Sequence, residues 1–468
     1  MISLPLSVIA DAVNGELIGS DTVISEVFTD TRNAVADSLF VALKGENFDA
    51  HKFVKQAETQ GAIALMVSQE VDSNLPQIKV SDTEKSLGLL ANYVRKQVNP
   101  KVIGITGSAG KTSVKEMVAT ILQSATSAKE VLSTLGNFNN HIGVPLTLLR
   151  LTGKEKFAVV EMGANHIGEI AYCCLIAEPD VTVVNNVAPA HIEGFGSIEG
   201  VAKAKGEIYQ ALSKEGIGIV NLDSEFSEDY LNTEDFHKVT VSRHNSADFY
   251  AHNIKLNEDL CAEFEMQHQS NVFNIRVNVP GEHQVSNALV AAALTFSVGI
   301  DYEHIQSGLL SSGVVKGRLN RLKGIHGSSV IDDTYNASVQ SVKVAVDVLS
   351  NWQGTKILVL GDMAELGEDS VAYHQEVGVY AKDKNIDHLY SVGGLSQFAG
   401  NAFGKGARHF DRVETLIDYL ALQLSVKSQV LVKGSRSARM ERVVAAIEAK
   451  QNNNQDVQQK TFGGGSQC

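Results

Sequence analysis

A chain of 468 residues is too long to bury a single core and points to roughly two to four domains. Hydrophobic residues reach 44% but aromatics only 6%, the balance of an Ala/Val/Leu-rich α/β interior. The formal charge of −14 argues against a general nucleic-acid or anionic-membrane surface, so an anionic substrate must be met by local cations.

Cys173, Cys174, Cys261 and Cys468 form no Cys-x-x-Cys pair, and neither a disulfide framework nor a zinc site is expected. With no basic-then-apolar leader and no bilayer-length apolar run, the expectation is a cytoplasmic protein without membrane insertion.

Residues 1–83 hold short apolar runs at 38–43, 62–67 and 77–80, expected as a small α/β domain. From 84 to 314, strands at 101–105, 157–162, 181–187 and 217–222 alternate with helices at 112–123, 201–212 and 286–298. Such alternation predicts a mostly parallel sheet covered on both faces. The polar stretch 232–269 reads as an irregular insertion or a β excursion. A second alternation runs from 315 to 450, with strands at 329–332, 356–361, 388–393 and 429–433. Its helices are expected at 341–349, 371–384, 413–424 and 439–450. It carries no phosphate loop of its own, and the alternation is expected as a C-terminal Rossmann-like α/β domain. The Gln/Asn/Gly-rich end, 451–468, reads as a disordered tail.

The most informative segment joins the first strand and helix of the middle region: Thr106-Gly107-Ser108-Ala109-Gly110-Lys111-Thr112-Ser113. Small residues let backbone N–H groups close around a polyphosphate at a helix N-terminus, whose dipole favours anions. Lys111 can neutralise the β- and γ-phosphates, and the Thr112 hydroxyl can ligate Mg²⁺. The spacing is a compressed phosphate loop, because Ile105 stands where the full Walker form has its first glycine. The strand before and the helix after favour an ATP site over an ordinary glycine turn.

Other polar groups fall where core strands end, the edge at which open α/β sheets gather ligands. Glu161 closes one strand and suits hard Mg²⁺. His191 follows another; a loop histidine is more often structural, and a metal or phosphate role is the sharper reading. Lys203 and Lys205 begin a helix, where the default is a solvated face. The run from Asn137 to Pro145 is rich in amides and glycine, and a plain turn is its generic reading. Arg318 at a domain hinge could reach phosphates on a neighbouring domain.

Taken together, these segments resemble the Mur ligase family from about Thr29 to about Glu441. The resemblance rests on the 106–112 loop, Asn137-Phe138-Asn139-Asn140-His141-Ile142-Gly143-Val144-Pro145, Glu161-Met162-Gly163-Ala164 and the run from Asn185 to Gly196. Gly361-Asp362-Met363-Ala364-Glu365-Leu366-Gly367 and Val432-Lys433-Gly434-Ser435-Arg436-Ser437 complete it. It implies three domains: a small N-terminal α/β UDP-sugar domain, a central ATPase domain and a closing C-terminal domain. Thr31, Arg32, Lys44, Gly45, Asp49 and His51 would then touch the UDP-muramoyl substrate, with Asn137, Asn139 and Asn140 lining its path. Thr112, Glu161, His191 and Lys205 as a carbamate would hold two Mg²⁺ ions. His283 and Asn287 would lie near adenine and Arg318 near the phosphates. Asp333, Tyr335 and Asn336 would bring the closing domain to nucleotide and substrate. Two departures from the family pattern stand out: Ser338-Val339 replaces Asn-Pro, and Ala36-Asp37 replaces Pro-Gly.

The activity implied is an ATP-dependent amide ligase, expected to be monomeric, joining D-alanyl-D-alanine to a UDP-N-acetylmuramoyl-tripeptide through an acyl phosphate. A folylpolyglutamate synthase-like ligase is the nearest enzymatic alternative. A nucleotide-gated binding protein is the non-enzymatic one.

Overall fold

The computed structural model describes residues 1–45, 48–189, 192–233 and 236–449. The expected tail at 451–468 and the candidate ligand His191 lie outside the described residues. The described residues form two compact units, Met1–Val314 with Glu365–Glu368, and Val315–Ala364 with the described residues from Asp369 onward.

The first unit is built on a nine-stranded sheet. From one edge the order is Val131–Ser133, Phe157–Glu161, Lys101–Thr106, Val181–Val184, Ile217–Asn221, His237–Ser242 and Phe249–Leu256, all parallel. Cys261–His268 and Asn271–Pro280 extend it antiparallel. The polar stretch is thus a β excursion that continues the sheet. Ala262, Phe264, Met266 and His268 are buried while Glu263 lies exposed and Glu265 and Gln267 half-buried between them, so solvent-facing residues account for the segment's polar composition.

Alternation along the central strands covers both faces. Ile103, Ile105, Val159, Val183 and Ile219 pack with residues of the Lys111–Ala125 and Gln284–Ser297 helices. Val102, Ala158, Val160, Val184 and Val220 pack on the other side, with the helices Thr83–Val98, Glu169–Ala177 and Ile198–Gln210. Lys101–Thr106 lies between Phe157–Glu161 and Val181–Val184, so the strand order changes direction there. Such a switch opens a crevice at the carboxyl edge, and both the phosphate loop and Glu161 lie at that edge.

A smaller sheet, in the order Glu16–Ile18, Gln77–Lys79, Ala62–Val67, Ser38–Val41 and Val27–Phe28, forms the N-terminal part of this unit. Just before its Ser38–Val41 strand, Asp37 takes the left-handed conformation (φ 58°), the one that favours the glycine usual at this position, and its N–H reaches Gly61 O at 3.0 Å.

The second unit has six strands in the order Asn320–Lys323, Ser329–Asp333, Ser428–Lys433, Thr355–Gly361, His388–Val392 and Ala407–Phe410. All are parallel except the first. The Ser338 substitution gains a local role: it caps the Val339–Ser350 helix reciprocally with Ser341. The last expected helix is shortened to Glu441–Ile447, because Arg439 before it is left-handed (φ 51°) and Glu448 after it is extended. No helix among the described residues is long and apolar enough to cross a membrane.

Candidate active site

The phosphate loop is held in shape by amides from the neighbouring strand. Gly107 (φ 150°) and Gly110 (φ 78°) turn the chain into the Lys111–Ala125 helix. A Cβ at Gly110 would lie 2.5 Å from Asn185 Nδ2 and 2.8 Å from Asn287 Oδ1, so only glycine fits the turn. Asn185 Nδ2 donates to Ala109 O at 2.9 Å and to Asn287 Oδ1 at 3.1 Å. Asn186 grips the same residue from both sides, accepting from Ala109 N at 2.8 Å and donating to Ala109 O at 3.0 Å. Ser108 N donates to Asn186 O, and the Ser108 hydroxyl bridges to the backbone of Ala188. Lys111 Nζ lies 2.6 Å from Gly107 O, folded over the loop it belongs to.

Beside the loop, Glu161 is 2% exposed. Its carboxylate accepts from Thr112 Oγ1 at 3.0 Å and from Asn139 Nδ2 at 2.8 Å. Its backbone N–H donates to Thr134 Oγ1, and the buried Lys115 ammonium donates to Thr134 O at 2.8 Å. The Asn-rich segment is therefore more than a plain turn, because Asn139 reaches the acid directly. Asn140 Oδ1 accepts from Gly143 N, and Asn137 is exposed. Thr106 Oγ1 and Asn185 Oδ1 are buried with no hydrogen-bond partner among the described residues. A tight backbone cradle with orphaned oxygens, a lysine and a hydroxyl-carboxylate pair suits a polyphosphate and a hard cation. Among the described residues no three His, Cys, Asp or Glu side chains cluster as a metal site, so the candidate set relies on Thr112 and Lys205 as well as Glu161.

The structure corrects the default expectation for Lys205. It is 2% exposed while Lys203 is exposed, and no acceptor among the described residues pairs with its ammonium. The Phe195 ring lies 5.8 Å from Nζ. Burial first, and then the charge of Lys111, push its pKa well below the ordinary lysine value.

Asn287 and His283 stand at the start of the Gln284–Ser297 helix. The Asn287 amide supports the loop turn, donating to Gln284 Oε1 at 2.9 Å as well as meeting Asn185. Ser113 is half-buried at the helix start.

In the N-terminal part, Thr31 is half-buried and Arg32 is exposed, its guanidinium on Asp30 at 2.6 Å. Lys44 and Gly45 are exposed, and Lys44 forms an antiparallel bridge with Asp49. His51 also stands in this loop. It is buried, with Nδ1 2.6 Å from Asp49 Oδ1 and Nε2 accepting from Ser68 N at 3.0 Å, so both ring nitrogens organise this loop. The His51 hydrogen bond holds the Asp49 carboxyl below its ordinary value. Lys44 also lines a cavity of about 600 Å³ with Thr83, Glu84, His141, Gly168, Glu169 and Tyr172, among others.

The second unit gathers its own candidates. Arg318 stacks over the Tyr335 ring at 4.2 Å, and Tyr335 N donates to Gly317 O. Asp333 Oδ1 accepts from Leu319 N, while its other oxygen meets the buried Lys433 ammonium at 2.5 Å. Lys433 also donates to Asn336 O at 2.9 Å. Burial lowers its pKa, against the opposing pull of Asp333. Asn336 itself is exposed.

Sequence reasoning about sites missed Asn185, Asn186 and Lys433. An Asn-Asn pair closing an apolar strand beside a phosphate loop was the available signal for the first two. A lysine ending a buried strand was the signal for the third.

Comparison with known proteins follows the same lines. The family described as Mur ligase middle domain matches residues 105–295, and the Mur ligase, glutamate ligase domain matches 317–436. The UDP-N-acetylmuramoyl-tripeptide–D-alanyl-D-alanine ligase of Escherichia coli (strain K12) is 47% identical over 455 residues, covering 96% of this chain and 99% of the relative. A crystal structure of MurF from Acinetobacter baumannii superposes with a TM-score of 0.89 at 33% identity, covering 95% and 99% of the two chains. The MurF ligase from Thermotoga maritima in complex with ADP gives 0.79 at 28% identity, covering 90% and 96%. Sequence, fold and phosphate-loop geometry agree, and the chain belongs to the Mur ligase family.

Proposed function

We propose that this chain is an ATP-dependent ligase that joins D-alanyl-D-alanine to UDP-N-acetylmuramoyl-tripeptide. The observation that supports it most is the pinned phosphate loop beside the Thr112–Glu161 pair, in a chain 47% identical to a ligase of that name along nearly its whole length. That relative weighs against the folate alternative, and the ADP complex of another weighs toward nucleotide chemistry.

Labour divides along the chain in this reading. Residues 1–83 hold the UDP-sugar through Thr31, Arg32, Lys44, Gly45, Asp49 and His51. Residues 84–314 bind ATP, and 315–450 bring Arg318, Asp333, Tyr335 and Asn336 to nucleotide and amine. A tripeptide carboxylate oxygen attacks the γ-phosphorus, the bond to the ADP oxygen breaks, and an acyl phosphate forms. The D-alanyl-D-alanine nitrogen then attacks the carbonyl carbon. Phosphate leaves with its electron pair, and the nitrogen loses a proton. The first step is an encounter of like charges, which Lys111 offsets at the phosphates.

Thr112, Glu161, His191 and a carbamate on Lys205 are the residues that would hold Mg²⁺, whose role would be to neutralise developing phosphoryl charge. Burial favours that modification, because a lysine with a lowered pKa presents the free amine that adds to CO₂ with loss of a proton. The product carries negative charge and oxygen donors where an ammonium would repel a cation.

A coupled phosphate-release assay tests the reading. Release requiring both UDP-N-acetylmuramoyl-tripeptide and D-alanyl-D-alanine supports it. Release on folate and glutamate, or none with any acceptor, overturns it.

A further inference from the structure

Two residues beyond Lys205, on the same Ile198–Gln210 helix, Glu207 is 7% exposed. One carboxylate oxygen accepts from Gly168 N at 2.7 Å and the other from Ala171 N at 3.0 Å. These donors open the nine-residue helix Glu169–Ala177. Amides at a helix start lack intrahelical acceptors, so a buried carboxylate there is satisfied by both charge and geometry. The same turn belongs to the wall of the large cavity, through Gly168, Glu169 and Tyr172.

Other anchors fix the Lys205 helix to different neighbours. Tyr209 Oη donates to Ile219 O at 2.6 Å and accepts from Val184 N at 2.9 Å, entering the sheet next to Asn185. Tyr230 Oη donates to Ala202 O at 2.8 Å. Glu207 is the anchor that reaches the cavity wall. Side chains two apart on a helix project to different sides, so Glu207 faces the wall while Lys205 is aimed elsewhere, with about 3 Å of helix rise between them. The helix thus links the cavity wall to the lysine.

We propose that Glu207 is a positioning residue that couples occupancy of the cavity by the UDP-linked peptide to the placement of Lys205 for carbamate formation. The inference rests on the role proposed above for Lys205. The test uses the full chain, with Glu207→Gln and Glu207→Asp. Gln keeps the length but turns an amide toward one donor, and Asp keeps the charge but falls short by a methylene. Ligation rate is measured against UDP-tripeptide and bicarbonate concentration, with ATP binding by calorimetry and folding by thermal denaturation.

Losing one charge-assisted hydrogen bond predicts a fall of about tenfold or more in kcat/KM for the UDP-tripeptide. ATP affinity stays within about twofold, and the bicarbonate needed for half-maximal rate rises alongside. A parental bicarbonate response, with rate lost only in step with the unfolded fraction, assigns Glu207 a merely structural role and overturns the proposal. So does unchanged kcat/KM. If Glu207→Gln does not fold, Glu207→Asp decides by the same readouts. A parent chain that fails to ligate at all refutes the proposed function instead, and full activity in Lys205→Ala refutes the role of that lysine.

Discussion

Asn185→Ala is the sharpest test of how the phosphate loop is held. Its Nδ2 supplies two hydrogen bonds in a buried setting, to Ala109 O at 2.9 Å and to Asn287 Oδ1 at 3.1 Å. Ala109 O keeps a second donor, Asn186 Nδ2 at 3.0 Å, so its loss is partial. Asn287 Oδ1 has no other donor among the described residues and becomes a buried orphan. An acceptor left unsatisfied in this way costs about 1–3 kcal/mol. The Asn185 side chain also stands against the turns at Gly107 and Gly110, so the cost falls on the conformation that must meet the phosphates. Expressed in binding, it weakens ATP by about 5- to 150-fold. Calorimetry with ATP and with UDP-N-acetylmuramoyl-tripeptide reads the effect, which should be confined to the nucleotide. ATP affinity within twofold of the parent, or an equal loss for both ligands, refutes the reasoning.

Lys111→Ala removes the cation from the most charged part of the reaction; a loss of ~3 kcal/mol slows turnover by about two orders of magnitude, and ligation within threefold of the parent contradicts it. Arg32→Ala, at an exposed guanidinium remote in sequence from the phosphate loop, weakens UDP-tripeptide binding and leaves ATP binding unchanged; calorimetry showing matched losses rules this out. Lys205→Met replaces a buried polar amine with an apolar chain of similar length, so in CO₂-free buffer Tm rises while ligation is lost. A lower Tm with retained ligation contradicts both halves of that expectation.

Much of the site was legible because its signals are local. The 106–112 loop advertises itself by an apolar strand, a glycine turn and a helix in one short stretch. Glu161 was readable as the polar end of an apolar strand. What stayed hidden depends on partners far along the chain. Asn185 meets Asn287, 102 positions away, and Lys433 meets Asp333, 100 positions away. The Lys203/Lys205 pair shows the limit most plainly. Both sit in one alanine-rich helical run, yet one is exposed and the other 2% exposed, because one side of the helix packs on the sheet and alongside the Glu169–Ala177 helix while the other meets solvent. The antiparallel extension of the sheet was obscured by its solvent face, since half-buried antiparallel strands show water as many polar residues as they bury apolar ones.

The central claim is that the peptide carboxylate is activated by phosphoryl transfer before the amine attacks. UDP-N-acetylmuramoyl-tripeptide labelled with ¹⁸O in its reacting carboxyl, incubated with ATP, D-alanyl-D-alanine and the full chain, tests it directly by mass spectrometry of the phosphate released. An acyl phosphate carries one carboxyl oxygen away with the leaving phosphate, so the account predicts one ¹⁸O transferred for each amide formed. Amide formation with unlabelled phosphate contradicts it.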